Sequence, residues 1–295
     1  MFHTIFSIII FSDTLSLKVQ YPEKIGENLA MLELLEQLFR QVRAYAQAER
    51  YDRKQIYSQS AAHRTMQFDR DAEDLIINTL TESGTGFEII TEERPTFSTH
   101  EQPPYRIVID PIDGSVNVER GIMTAAVSLA VLPIEAPVTP ENVQWALVGE
   151  LFSGAVYEAQ RGGGAFRNGH RCQVSTVATI RDCVAGLNLE GHHKEPSLTL
   201  LTHTPRLGTV RRSGSSAIDS VYVASGTYDA YIDITDEITG ESFLASASIV
   251  LEAGGIVTDQ QGHPLRPITS LANKFSLIIA GNPKLHQEIV SRVNK

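Results

Sequence analysis

Asp110-Pro111-Ile112-Asp113-Gly114-Ser115 places two carboxylates three residues apart, at the point where an apolar run stops and a Gly-Ser turn begins. Such a pair suits a hard divalent cation, and the glycine behind it lets backbone N–H groups come close to an anion. Together they form the chemistry of a phosphate held beside a metal ion. An Asp-Gly pair after a strand is, by itself, most simply a turn. The second Asp, the intervening proline and the Ser115 hydroxyl favour the chemical reading. The preceding run, Tyr105 to Ile109, is predicted to be a strand, which puts Asp110 at a carboxyl end, where open α/β sheets place their ligands. Pro111 fixes its own φ and pushes Asp110 toward extended geometry.

The elements that must position this stretch can be read from periodicity. Met31, Leu35, Leu38, Val42 and Tyr45 recur at steps of four and three, which predicts a helix with one buried face. A second helix is expected from Phe68 to Leu80, with Ala72, Leu75, Ile76 and Leu80 inward and Ser83-Gly84 as its stop. Phe87 to Ile90 reads as a short strand running into Thr91-Glu92-Glu93, a second acidic strand end. Met123 to Leu132 and Val143 to Glu158 are strand-like, and Arg161 to Gly169 is a glycine-rich hairpin. Its three adjacent glycines lack the Gly-Lys-Ser/Thr ending of a phosphate loop. Beyond it, strands and helices alternate: a helix after Ser215-Ser216, a strand from Tyr228 to Ile234, a helix through Phe243, Ala247, Val250 and Leu251, strands Ile256–Thr258 and Phe275–Ala280, and a last helix after Pro283. The fold class is therefore α/β with α+β mixing.

Composition narrows the partners. With 295 residues, 42% hydrophobic and 20% charged, the chain has enough apolar surface for a sizeable core. A formal net charge of −10 argues against nucleic acid, whose binding rests on Lys and Arg. An acidic protein that acts on phosphorylated molecules needs a cation between the two. Cys172 and Cys183 are too few for a zinc site or a disulfide framework, which fits a reducing, cytoplasmic setting. The apolar stretch from Phe2 to Phe11 falls short of the roughly 20 residues of a membrane span and has no basic flank, so it is expected to be an extra strand, an interface segment or an over-extended start. His192-His193 reads as solvated loop, because adjacent side chains point apart.

Four blocks in order give the chain a resemblance to the inositol monophosphatase family, metal-dependent phosphomonoesterases related to fructose-1,6-bisphosphatase. They are Thr91-Glu92-Glu93, the segment IDPIDGSVN from Ile109 to Asn117, the segment GGGAFRNGHRCQVS from Gly162 to Ser175, and Glu252-Ala253-Gly254-Gly255. The resemblance implies a layered αβαβα sandwich, usually a homodimer. It divides the chain into an extension over residues 1–27, a metal-binding subdomain over 28–155 and a substrate-recognition subdomain over 156–295. It further implies Mg²⁺ held by Glu92, Asp110, the Ile112 carbonyl and Asp113. Gly114 and Ser115 are expected to donate to the substrate phosphate, and the Ser115 hydroxyl to help Glu92 orient and deprotonate water. Ser215, Ser216 and Asp233 are expected to contact the substrate, most simply inositol monophosphate, with a sugar bisphosphate or a 3′-phosphorylated nucleotide as alternatives. Asp233 reads equally well as an outward strand residue, and the two serines as helix caps.

The family usually carries an Asp ten residues before the Glu of the last block. Here that position is Ser242, with Glu241 beside it. Either Glu241 substitutes from a shifted helix start, or Asp236 and Glu237 reach in from a longer loop, or the second metal is weakly held. In that last case the chain is a catalytically weakened relative that binds a metabolite or a partner.

Overall fold

A computed structural model describes residues 23–48, 52–59, 64–189 and 195–294. The Phe2–Phe11 segment and His192-His193 lie outside them. The first half runs α1 (Glu23–Gln47), β1 (Ile56–Gln59), β2 (Arg64–Met66), α2 (Gln67–Glu82), β3 (Phe87–Thr91), β4 (Arg94–Ser98), β5 (Tyr105–Asp113), α3 (Ser115–Arg120), β6 (Ala126–Pro133), β7 (Trp145–Glu150), β8 (Val156–Gln160), β9 (Gly164–Arg167) and β10 (His170–Arg171). Except for the β1–β2 hairpin, its strands form one sheet in the order β10-β9-β8-β7-β6-β5-β3-β4. The second half runs β11 (Val184–Leu187), α4 (Glu195–Thr202), β12 (Thr209–Arg211), α5 (Ser216–Ala224), β13 (Ala230–Ile238), α6 (Gly240–Glu252), β14 (Ile256–Thr258), β15 (Phe275–Ala280) and α7 (Pro283–Val293). Its sheet has the order β12-β11-β13-β15-β14. In terms of sheets the changeover falls between Arg171 and Val184.

Three apolar cores lie between five layers, the αβαβα order that the sequence blocks imply. α1 and α2 cover the outer face of the large sheet through Leu35, Leu38, Val42, Phe68, Ile76 and Leu80. α5 and α6 fill the space between the sheets, and α4 and α7 cover the outer face of the small one. Strand alternation decides which side chain serves which core: Ile107 and Ile109 of β5 face the outer helices, whereas Val108 faces α5 and α6. β13 does the same, with Tyr231 in the middle core and Ala230, Ile232 and Ile234 in the far one.

The expected helices hold, with differences at their ends that matter for chemistry. α2 buries Asp69 and Glu73 on the face that carries Ala72, Ile76 and Leu80, while Leu75 is only half-buried. α6 begins at Gly240, three residues ahead of the first apolar residue of its pattern. The stretch from Val143 to Glu158 is two strands with a turn between them. β1, β2, β11 and β12 are too short to show an alternation, and β4 is largely exposed.

Candidate active site

β3 and β5 are parallel neighbours, and their register pairs Thr91 with Ile109. Glu92 and Asp110 therefore leave the sheet side by side at two carboxyl ends. Beyond Asp110 the register of β5 on β6 shifts, so that Asp110 faces Ser128 and Asp113 faces Ala126. Pro111 sits inside this irregularity, where its missing N–H removes no regular ladder bond. Gly114 follows at φ 105°, and a Cβ there would meet the Thr124 carbonyl oxygen at 3.1 Å, so only glycine fits without strain. The turn that starts α3 depends on that glycine.

A buried ion cluster fixes the other strand end. Glu73 of α2 is fully buried and accepts from Thr91 Oγ1 at 2.7 Å, Arg94 Nε at 2.5 Å and Arg70 Nη1 at 3.1 Å. Arg94 also pairs with Asp74. These contacts clamp both sides of the β3–β4 turn that carries Glu92, and removing one partner of such a pair typically costs about 3–5 kcal/mol.

The carboxylates at the sheet end differ sharply in how they are satisfied. Asp113 accepts from Ser215 Oγ at 2.5 Å, Ser216 Oγ at 3.3 Å and the Ala217 N–H at 2.7 Å. It thereby ties β5 to the start of α5, and Ser215 also caps that helix by accepting from the Ile218 N–H. Asp110 accepts from its own turn, the Ile112 N–H at 3.2 Å, and from Ser242 Oγ at 3.2 Å. Ser242 thus faces Asp110 with a hydroxyl. Glu241 is 4% exposed, and its Oε2 is buried with no hydrogen-bond partner. Its backbone carbonyl accepts from Ser128 Oγ at 3.3 Å, which docks the start of α6 on the strand opposite Asp110.

Burial and mutual repulsion push these groups toward the neutral form. Asp110 is raised well above the usual carboxylate range, first by burial and then by the charges of Asp113, Glu92, Glu241 and Asp69. Glu92 is also raised well above it, by the protein that surrounds it and then by Glu241, Glu93, Asp69 and Asp113. Its residue keeps an exposed surface, so it lies in a walled cleft open to water. Burial raises Glu241, with the Thr239 hydroxyl and the Lys274 charge opposing, and raises Asp113 only to about 6 because its three donors oppose the shift. Four carboxylates in this state call for a cation. Among the described residues no three His, Cys, Asp or Glu side chains converge closely enough to hold an ion as they stand. The cluster is gathered but not closed.

Asp69 is a member that sequence reasoning missed. Ser115 Oγ lies 2.8 Å from Asp69 Oδ1 and 2.9 Å from the Ile112 carbonyl oxygen. Burial is the first cause that raises Asp69 to about 7. At the start of α2 it also accepts from the Met66 N–H at 3.4 Å, and an Asp there reads from sequence as a helix cap. The signal available was the apolar face of α2, on which an acid is out of place.

Beside the cluster opens a cavity of about 220 Å³, whose wall includes Asp113, Ser215, Ser216, Asp219, Asp233 and Ser242. Asp233 is 1% exposed and lies on the face of β13 that carries Tyr231, toward α5 and α6. Asp236 is exposed at φ 56°, away from this wall, whereas Glu237 lines it.

The chain is similar to known proteins over most of its length. The family model described as the inositol monophosphatase family matches residues 25–295. A fructose-1,6-bisphosphatase/inositol-1-monophosphatase of Methanothermobacter thermautotrophicus is 32% identical over 232 residues, covering 77% of this chain and 82% of that protein. An inositol-1-monophosphatase of Mesorhizobium japonicum is 30% identical over 236 residues, 78% of this chain and 82% of its own. The crystal structure of extragenic suppressor protein suhB from Bartonella henselae superimposes with a TM-score of 0.78 at 27% identity, covering 90% of this chain and 99% of that one. Fold and site define a phosphoric monoester hydrolase of layered αβαβα architecture. The chain belongs to the inositol monophosphatase family.

Proposed function

We propose that this chain is a Mg²⁺-dependent phosphomonoesterase that hydrolyses a small phosphorylated metabolite, most simply inositol monophosphate. The observation that carries the reading is the gathering of Glu92, Asp110, Asp113 and Glu241, all raised toward neutrality first by burial, with neighbouring carboxylates adding to the shift of Glu92 and Asp110, and one carboxylate oxygen of Glu241 left with no donor. The donor set is all oxygen and fits Mg²⁺, with Glu92, Asp110 and the Ile112 carbonyl for one ion and Asp110, Asp113 and Glu241 for a second. When bound, the metal supplies Lewis acidity toward the phosphoryl group and the attacking water.

The chain's own groups do the rest. Gly114 and Ser115 begin α3, where the first N–H groups have no partner inside the helix and suit a phosphate oxygen. Glu92, at the cleft wall, holds a water by its carboxylate. Ser115 Oγ, oriented by its bond to Asp69, accepts from that water and hands a proton on to Asp69 Oδ1, a group poised near neutrality. Ser215 and Ser216 keep Asp113 in place, and Asp233 supports the wall against which the leaving group rests.

Phosphate release from inositol 1-phosphate, fructose 1,6-bisphosphate and adenosine 3′,5′-bisphosphate, with and without Mg²⁺, tests the reading. Release that needs Mg²⁺ is expected, and none from any substrate at saturating Mg²⁺ overturns it. Ser242 favours a second reading, a weakened relative that binds its metabolite or a partner protein, for which binding without turnover is the signature. The reading includes a homodimer in the cytoplasm, and sedimentation of the purified chain checks the first part. Among the described residues no helix is long and apolar enough to cross a membrane.

A further inference from the structure

The block from Gly162 to Ser175 lies outside the acid cluster and builds a basic arm on an acidic chain. Glu252, the last residue of α6, accepts from the Gly162 N–H at 2.8 Å and the Gly164 N–H at 2.9 Å, which fixes the base of the hairpin. At its tip Asn168 and Gly169 take φ 49° and 75°, the left-handed pair of a two-residue hairpin turn. The register sets Arg167 opposite His170 and Phe166 opposite Arg171. Arg167 also pairs with Tyr157 of β8, so Arg167 and His170 share the face that looks toward the middle core, and Arg171 shares the other face with Phe166. Each guanidinium rests over a ring, Arg167 at 5.3 Å from the centroid of Tyr157 and Arg171 at 5.8 Å from that of Phe166. This stacking restricts both side chains before any partner arrives.

These basic side chains have no acid beside them. They line a groove of about 730 Å³ that continues along residues 172–176 to the Ser225-Gly226 turn after α5, and no Asp or Glu stands in its wall. Among the described residues Arg167, His170 and Arg171 enter no ion pair, and Arg171 Nη1 donates to the Gly163 carbonyl at 3.5 Å. On a chain with 25 Lys and Arg against 35 Asp and Glu this is a local reversal of charge. Along the floor, the N–H groups of Gln173, Val174, Ser175 and Thr176 are taken up by no other group among the described residues. The groove is therefore rich in donors and poor in acceptors. Arg167, His170 and Arg171 are all exposed and lie on both faces of the arm, so one small anion meets a single face and stays screened by water. An extended chain that carries several carboxylates reaches both, because its successive side chains point to opposite sides, and each arginine takes a carboxylate through two bonds. Nucleic acid fits less well, since its affinity rests on many phosphate contacts and the net charge of the chain is −10. We infer that Arg167, His170 and Arg171, with the groove beside them, form a docking surface for an acidic, extended segment of a partner protein. The groove shares no residue with the cavity beside the acid cluster, so the docking surface goes beyond the phosphomonoesterase reading and does not depend on it.

Fluorescence anisotropy of a fluorescein-labelled decaglutamate peptide with the full chain, in metal-free buffer so that the peptide carries no Mg²⁺, tests the surface. The wild-type chain is expected to bind it, with affinity falling about tenfold between about 50 mM and about 200 mM salt. Arg167→Glu combined with Arg171→Glu, checked for folding by circular dichroism and thermal melting, should bind about tenfold more weakly or less. Arg167→Lys combined with Arg171→Lys keeps the charge and loses the two-point bonds, so it serves if the glutamate variant does not fold, with an expected loss of about threefold. Mg²⁺-dependent phosphate release from inositol 1-phosphate should be the same in the folded variants as in wild type. Absence of release from every chain tells against the phosphomonoesterase reading and leaves the docking surface standing on the binding data. No binding by wild type, or equal binding by the folded glutamate variant, overturns the inference. So does tighter binding of a labelled decauridylate than of decaglutamate, which would mark a nucleic-acid surface, or displacement of the peptide by inorganic phosphate at constant ionic strength, which would mark a site for a small anion.

Discussion

Asp113 and Glu241 flank the same cleft and are opposite in chemistry. Asp113, at the end of β5, is held by three donors from the start of α5, and its carboxyl is raised only to about 6. Glu241, at the start of α6, is raised by burial, keeps an oxygen with no donor, and lends its charge to the repulsion that raises Glu92 and Asp110. The difference teaches that this site is rigid on one side and incomplete on the other. A carboxylate bonded by the protein at both oxygens fixes geometry, and one with an oxygen left free keeps its capacity for a cation.

Breaking the incomplete side should cost activity and not the fold. Asp110→Asn is expected to lower kcat/KM about 10²–10³-fold, the range seen when a charge-stabilising group is lost. In metal-free buffer the same variant should melt no lower than wild type, because an amide of the same size carries no acid to be ionised among its acidic neighbours as pH rises. A collapse of the melting temperature would place Asp110 in the rigid class instead. Ser115→Ala comes next, with kcat expected to fall about tenfold to a hundredfold and KM nearly unchanged. An unaltered kcat would remove Ser115 and Asp69 from the proton path.

Breaking the rigid side should show first in stability. Ser215→Ala removes a helix cap and one donor to Asp113, for an expected loss of about 1 kcal/mol in urea unfolding and a higher Mg²⁺ requirement. Smaller again is an effect of pH. Asp69 near 7, Asp113 near 6, and Asp110 and Glu92 well above the carboxylate range all bind protons more tightly folded than unfolded. Their contribution to stability is present below the unfolded carboxylate range and is lost as pH rises through these folded values. The metal-free melting temperature should therefore fall between about pH 5 and pH 8, and the gain from Mg²⁺ should grow over the same interval. A Mg²⁺ gain independent of pH would contradict the repulsion described for the cluster.

The sequence carried the fold wherever a pattern was long enough to repeat. α1 and α2 each bury one apolar face, α5 and α6 are apolar on nearly every side between the sheets, and β5 and β13 divide their alternating residues between two cores. Short strands such as β11 and β12 gave no pattern to read, since three or four residues hold at most two alternations. The strand-end acids were legible because two of them sit together between proline and glycine. Asp69 and Asp219 were not, for an Asp in the first turn of a helix looks like a capping residue whether or not it also faces a cleft. Ser215 and Ser216 were read as substrate contacts or caps, and the geometry gives them a nearer partner in Asp113. No pattern in one sequence states where a helix begins, so which of Glu241 and Ser242 bonds Asp110 was not legible there.

The smallest expected effect concerns that relation. If Glu241 already serves the second ion, Ser242→Asp should change the Mg²⁺ dependence of turnover less than about threefold, since the added carboxylate meets Asp110 and adds repulsion where no ligand is missing. A sharp gain in turnover would mean that Ser242 occupies the vacant ligand position. The direct measurement is the number of ions held, read by electron paramagnetic resonance with Mn²⁺ in place of Mg²⁺ on the wild-type chain, Glu241→Gln and Ser242→Ala. Two ions per chain are expected for wild type and Ser242→Ala, and one for Glu241→Gln with its fold intact. Two ions retained in Glu241→Gln would contradict the assignment of Glu241 as the carboxylate that closes the site.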